Sequence, residues 1–210
     1  MEIETKTEDK PRKKAGRPLS FDRDAALERA MLVFWRYGYE AASLQELTSA
    51  MGITPPSLYA AFGDKEKLFL EAVERYSSKN CDALQCLFAA APTARDAIER
   101  LLQSNAIELT CPSHPPGCLV VTAATNCSAS SAHVQSAMVE RRDNVESMIR
   151  TRIEEGIRDG ELAQDTDAGA LANFYNTVIQ GMSTQARDTG GNRDKLLAIA
   201  YTAMRAWPAR

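Results

Sequence analysis

The sequence predicts an all-α protein, and three observations support this. Apolar residues recur at helical spacing from Phe21 almost to the C-terminus. No segment shows the sustained apolar–polar alternation of a half-buried strand. Capping residues and glycines punctuate the chain where helices would start and stop. In the first helix Leu27, Ala30, Met31 and Phe34 fall at i, i+3, i+4 and i+7, one apolar stripe, and Gly38 ends it.

The next segments are short and densely signalled. Ser43 with Glu46 three residues on forms a capping box, Leu44, Leu47 and Met51 supply a buried face, and Gly52 is a C-terminal stop. Thr54 caps a third helix with Pro55 at its first position, where no N–H is needed, and Leu58 and Phe62 point inward together. Gly63 breaks this helix. Asp64 caps a fourth that runs through Leu68, Phe69, Ala72, Val73 and Tyr76. Two short helices about a tight Gly52–Ile53 turn, braced on each side by another, make a helix-turn-helix. Beyond Asn80 the pattern predicts longer helices over 80–91, 93–110, 118–127, 132–159, 167–187 and 193–207.

Composition bounds the function classes. The chain has 210 residues, 44% of them hydrophobic, enough for one or two domains with real cores. No apolar run approaches the roughly 20 residues that cross a bilayer. The N-terminus carries Glu2, Glu4, Glu8 and Asp9 and no apolar stretch, so no secretory signal is read and a cytoplasmic location is expected. There the five cysteines are expected to be reduced, and their odd number argues against a disulfide framework. Net charge is −3, yet Lys10, Arg12, Lys13, Lys14 and Arg17 crowd one end. Residues 1–19, with Pro11, Gly16 and Pro18, read as a basic flexible arm.

The run Ser43-Leu44-Gln45-Glu46-Leu47, followed by Met51 through Leu68 with its Leu58-Tyr59, Phe62 and Asp64-Lys65-Glu66-Lys67, closely resembles the DNA-binding domain of the TetR family of transcriptional regulators. The resemblance spans about residues 20–80. Residues 81–210 resemble the family's ligand-sensing and dimerisation domain more loosely, best at Gly117–Val121 and Val178–Met182. It implies about nine helices, a homodimer built from the last two, and repression relieved by a small-molecule effector. No cofactor or metal is expected, and the partners implied are a palindromic double-stranded operator, a second copy of the chain and that effector.

With Leu58 and Phe62 inward, Pro56 and Ala60 face outward, Ser57 and Tyr59 flank them, and Thr54 and Pro55 lie at the helix start. This surface carries no Arg, Asn or Gln for bidentate base contacts, so reading by shape and thymine methyls is expected, with Tyr59, Thr54 and Ser57 on phosphates or base edges. Lys65, in the first turn of the fourth helix, is expected to hold a phosphate together with the helix N-terminus, and Ser43 to offer a backbone N–H to another. The family's pattern also places the tyrosine and the lysine on the backbone. Arg17 in Gly16-Arg17-Pro18 resembles minor-groove arms that insert an arginine; the plainer reading of the arm is a solubilising tail. Small residues (Ala170, Ala172, Gly181, Ala200, Ala203) in the last two helices suit close packing, in a dimer or within one chain.

Cys111, His114 and Cys118 flank a Pro-rich loop, with Cys127 and His133 nearby. These thiols and the histidine are candidates for an effector pocket or a sensor. One reading is a soft-metal site, although the spacing matches no structural zinc pattern; another is a thiol that reacts with oxidants or electrophiles. The plainer reading makes Cys118 and Cys127 small buried residues and places an organic effector in an apolar pocket among the central helices. An enzyme is the first rival, but there are two histidines, no glycine-rich phosphate loop and no recognisable Ser/His/Asp grouping. The second rival, an architectural DNA-binding protein, lacks resistance to excess random DNA.

Overall fold

The computed structural model describes residues 21–125 and 127–208, so the basic arm and its Arg17 lie outside the described residues. The described residues contain helices and no strand. Helix α1 (Arg23–Tyr37) is capped by Asp22, whose carboxylate accepts from the Ala25 N–H. Helices α2 (Leu44–Met51) and α3 (Pro55–Phe62) follow at the expected positions. Then come α4 (Lys65–Ala90), α5 (Ala94–Glu108), α6 (Leu119–Thr122), α7 (Ala132–Arg158), α8 (Ala168–Asp188) and α9 (Arg193–Ala203). Short 3-10 turns cover Ala129–Ser131 and Met204–Ala206.

Three expected boundaries move. The helices expected to end near Tyr76 and to restart at residue 80 are one helix of 26 residues. Ser77, Ser78 and Asn80 are weak helix formers, but no glycine or proline stands between Asp64 and Ala91 to stop propagation. The helix expected over 118–127 shrinks to the four residues of α6. The last helix ends at Ala203 and tightens into its 3-10 turn.

Two buried cores organise the chain. The first joins α1 to α4 around Phe34, Leu47, Leu58, Leu68 and Phe69, and it also takes in Leu119 and Val120 of α6 and Val134 and Met138 of α7. The second lies among α5, α7, α8 and α9, with Ile98, Leu102, Ile149, Ile153 and Tyr175 fully buried. Cys118 packs against both. The segment 111–118 is therefore the seam between the halves.

Several polar bonds fasten that seam. Trp35 Nε1 donates to the Gly117 carbonyl at 3.1 Å, and the Cys118 N–H donates to Ser183 Oγ at 2.8 Å. The Tyr39 N–H donates to the Ala123 carbonyl at 2.6 Å. Gly38 makes this approach tolerable: its φ is +82°, and a Cβ there would stand 3.1 Å from the same carbonyl oxygen.

Candidate nucleic-acid interface

The turn between α2 and α3 is set by Gly52, which closes α2 in the left-handed conformation at φ 68°, ψ 32°. At the start of α2 the capping box forms in full: Ser43 Oγ accepts from the Glu46 N–H at 3.1 Å, and Glu46 Oε2 accepts from the Ser43 N–H at 2.9 Å. Those bonds hold the Glu46 carboxyl below its usual range. Helix α3 is pinned from beneath by buried Leu58 and Phe62. The Arg23 guanidinium lies 4.4 Å over the Phe62 ring, donates to the Ala61 carbonyl and pairs with Glu71. What pins α3 lies on its inner side, which leaves its outer side free.

That outer side carries the sequence candidates. Thr54, Pro55, Pro56, Tyr59 and Ala60 are exposed, and Ser57 is half-buried. Thr54 holds the N-cap position, but its hydroxyl makes no cap bond; it pairs with Ser57 Oγ at 3.0 Å. Proline at the first two helical positions already removes two N–H groups that would need a cap.

Two residues expected at phosphates have partners within the chain. The Ser43 N–H is taken by Glu46, so Ser43 cannot offer it to a phosphate while the capping box stands. Lys65 is half-buried at the start of α4, with Nζ donating to the Glu40 carbonyl at 3.2 Å and lying 4.8 Å over the Tyr39 ring. Burial lowers its pKa, against the opposing pull of Glu40. That bond uses one of the three donors of the Lys65 ammonium.

The sensor candidates do not converge. Cys111 Sγ pairs with Ser113 Oγ at 3.1 Å, an interaction that holds its thiol below the usual range. His114 stacks on Trp35 with ring centroids 4.3 Å apart, and its Nε2 lies 3.2 Å from Glu108. Cys118 Sγ accepts from the Tyr76 hydroxyl at 3.3 Å. Cys127 Sγ points at the Ala124 carbonyl, and burial pushes its thiol up. Each candidate has a different neighbour. Among the described residues no three His, Cys, Asp or Glu side chains gather as metal ligands.

The family profile described as bacterial regulatory proteins, tetR family, matches residues 26–72, and the tetracyclin repressor-like C-terminal domain profile matches residues 93–201. The chain belongs to the TetR family. This TetR-family regulator is 36% identical over 198 residues to the HTH-type transcriptional repressor ComR of Escherichia coli, covering 94% of each chain. It is 32% identical to the transcriptional regulator YezE of Bacillus subtilis, over 77% of this chain and 84% of that one. Among solved structures, a cysteine mutant of the TetR-family regulator CifR, complexed with 26-base-pair operator DNA, superposes with a TM-score of 0.88 at 47% identity. The match covers 91% of this chain and all of that one. The chain is thus a DNA-binding transcriptional regulator, and proteins of this family act on double-stranded DNA as homodimers.

For this TetR-family chain, sequence reasoning missed two groups of residues. Gln45, exposed in the first turn of α2, carries an amide that sequence reasoning did not single out; its place two residues after the capping serine was the available signal. Trp35, Tyr76 and Ser183, which tie the seam, come from three distant segments, and no local pattern announces them. The small residues of the last helices also divide. Ala172, Ala200 and Ala203 are buried in the protomer's own core, whereas Ala170 and Gly181 are exposed.

Proposed function

We propose that this protein is a cytoplasmic repressor, without enzymatic activity, that binds a palindromic operator as a homodimer and is released by a small-molecule effector. The carrying observation is the uncovered face of α3, fixed from below and offering Thr54, Pro55, Pro56, Ser57 and Tyr59 to a major groove. The 47% identity to an operator-bound regulator supports the same reading. Tyr59, Thr54 and Ser57 grip phosphates or base edges, and Gln45 adds an amide that α3 lacks. Lys65 swings to a phosphate, and Arg17 serves the minor groove. The DNA-binding unit covers residues 20–80, and residues 81–210 sense and dimerise. The dimer face is the outer side of α8 and α9, where Phe174, Gly181 and Tyr201 are exposed.

DNA flanking the protein's own gene, titrated in fluorescence anisotropy against excess random DNA, tests this. Binding that survives competition supports operator recognition, whereas equal affinity for random DNA contradicts it. A second reading, release by thiol modification, rests on Cys111, whose Sγ lies 3.1 Å from Ser113 Oγ, a contact that holds the thiol below its usual range. Under that reading an alkylating agent abolishes operator binding in the native protein and spares Cys111→Ser.

A further inference from the structure

A cleft of about 400 Å³ lies across the seam, walled by α1, the 112–116 loop and the C-terminal end of α8. Its volume falls within the range of small-ligand sites. Leu32, Pro112, Pro115 and Pro116 give it apolar sides, and Arg36 and Arg187 are two cationic residues on its wall. Neither arginine is in an ion pair among the described residues; Arg187 Nη2 donates at 3.1 Å to the Arg36 carbonyl at the end of α1. His114 lines the cleft, with its Nε2 3.2 Å from the Glu108 carboxylate. Leu32 is 39% exposed, so its side chain is open to a ligand in the cleft.

We propose that this cleft binds an organic carboxylate with an apolar body, and that the carboxylate is the effector that weakens operator binding. The inference rests on the effector-released repressor proposed above. The forked guanidiniums take the carboxylate, and the leucine and prolines take the hydrocarbon. Engaging Arg187 draws it from the Arg36 carbonyl and so loosens α8 from α1. Helix α1 in turn braces the helix-turn-helix, since Arg29 Nη1 donates to the Met51 carbonyl at the end of α2. By linkage, the operator must weaken carboxylate binding by the same factor.

The His114 ring stacked on Trp35 makes that indole a reporter of the cleft. In full-length protein carrying Trp207→Phe, Trp35 is the only tryptophan left. Octanoate and benzoate are titrated against its emission, with octan-1-ol as the uncharged counterpart. Expected are saturable quenching by the acids but not the alcohol, and a loss of about tenfold or more in acid affinity in both Arg36→Gln and Arg187→Gln. Arg150→Ala, a surface control paired with Glu154, leaves affinity unchanged. Operator affinity measured with and without octanoate then falls in the parent and not in the arginine variants. Equal quenching by acid and alcohol, or arginine variants that are folded by circular dichroism and bind acid normally, overturns the site. Binding that leaves operator affinity unmoved overturns the effector role. Operator recognition without ligand is read separately in the same assay, so a failure of the cleft and a failure of the repressor reading are distinguishable.

Discussion

Ser43 and Glu46 hold the start of α2 by exchanging hydrogen bonds, and that exchange decides what Ser43 can do. Its N–H is engaged at the helix start, where Ser43 fixes α2. Ser43→Ala removes the cap acceptor and is expected to destabilise the fold by about 1 kcal/mol, read as a lower urea midpoint at unchanged slope. Operator affinity measured well below that midpoint changes little. The same residues show where sequence reading reaches its limit. The Ser-x-x-Glu pattern was legible because both partners are local. The retraction of Lys65 onto the Glu40 carbonyl was not, because it depends on a chain reversal 25 residues back.

At the scale of elements, α2 and α3 form a rigid pair because Gly52 adopts a conformation closed to most side chains. A Cβ at Gly52 would meet only Arg29 Nη1 at 3.6 Å, ordinary contact, so the cost of Gly52→Ala is conformational alone. It is expected to be about 1–2 kcal/mol, measured by thermal unfolding. The α1–α2 connection is tied to the turn before α7 by Glu40, whose Oε1 accepts from the Ser128 N–H at 2.9 Å and from Ser128 Oγ at 2.8 Å. Those bonds hold the Glu40 carboxyl below its ordinary value of 4.5. A depressed folded-state value means the stabilisation is present in full above about pH 4.5 and is lost as pH falls through the lowered value. The stability gap between native protein and Glu40→Gln is therefore expected to be constant near neutrality and to close in acid, as followed by urea titrations at successive pH values. Periodicity and caps located α1, α2, α3, α5, α7 and α8 because those signals are local. They misplaced the end of α4, where polar residues imitate a boundary inside a helix stabilised by packing on α1 and α7.

At the scale of the molecule, the first core reaches into α6 and α7, so the reading helices do not float on a tether. A change around α6 or α8 has a packed route to α1 through Trp35, Gly117 and Ser183. In the proposed homodimer the second copy meets the exposed side of α8 and α9, where Phe174 and Tyr201 stand out, the latter 75% exposed. Phe174→Glu with Tyr201→Glu is expected to yield folded monomers in sedimentation velocity and to lower operator affinity by about two orders of magnitude or more. The central claim is that the outer face of α3 reads DNA. Tyr59 on that face and Tyr37 at the end of α1 are equally exposed, at 49% each, and form a matched pair. The most direct measurement compares operator affinity of Tyr59→Ala and Tyr37→Ala by anisotropy in excess random DNA. A loss of about tenfold or more for Tyr59→Ala alone is the predicted result. Equal effects, or none at Tyr59, would contradict it.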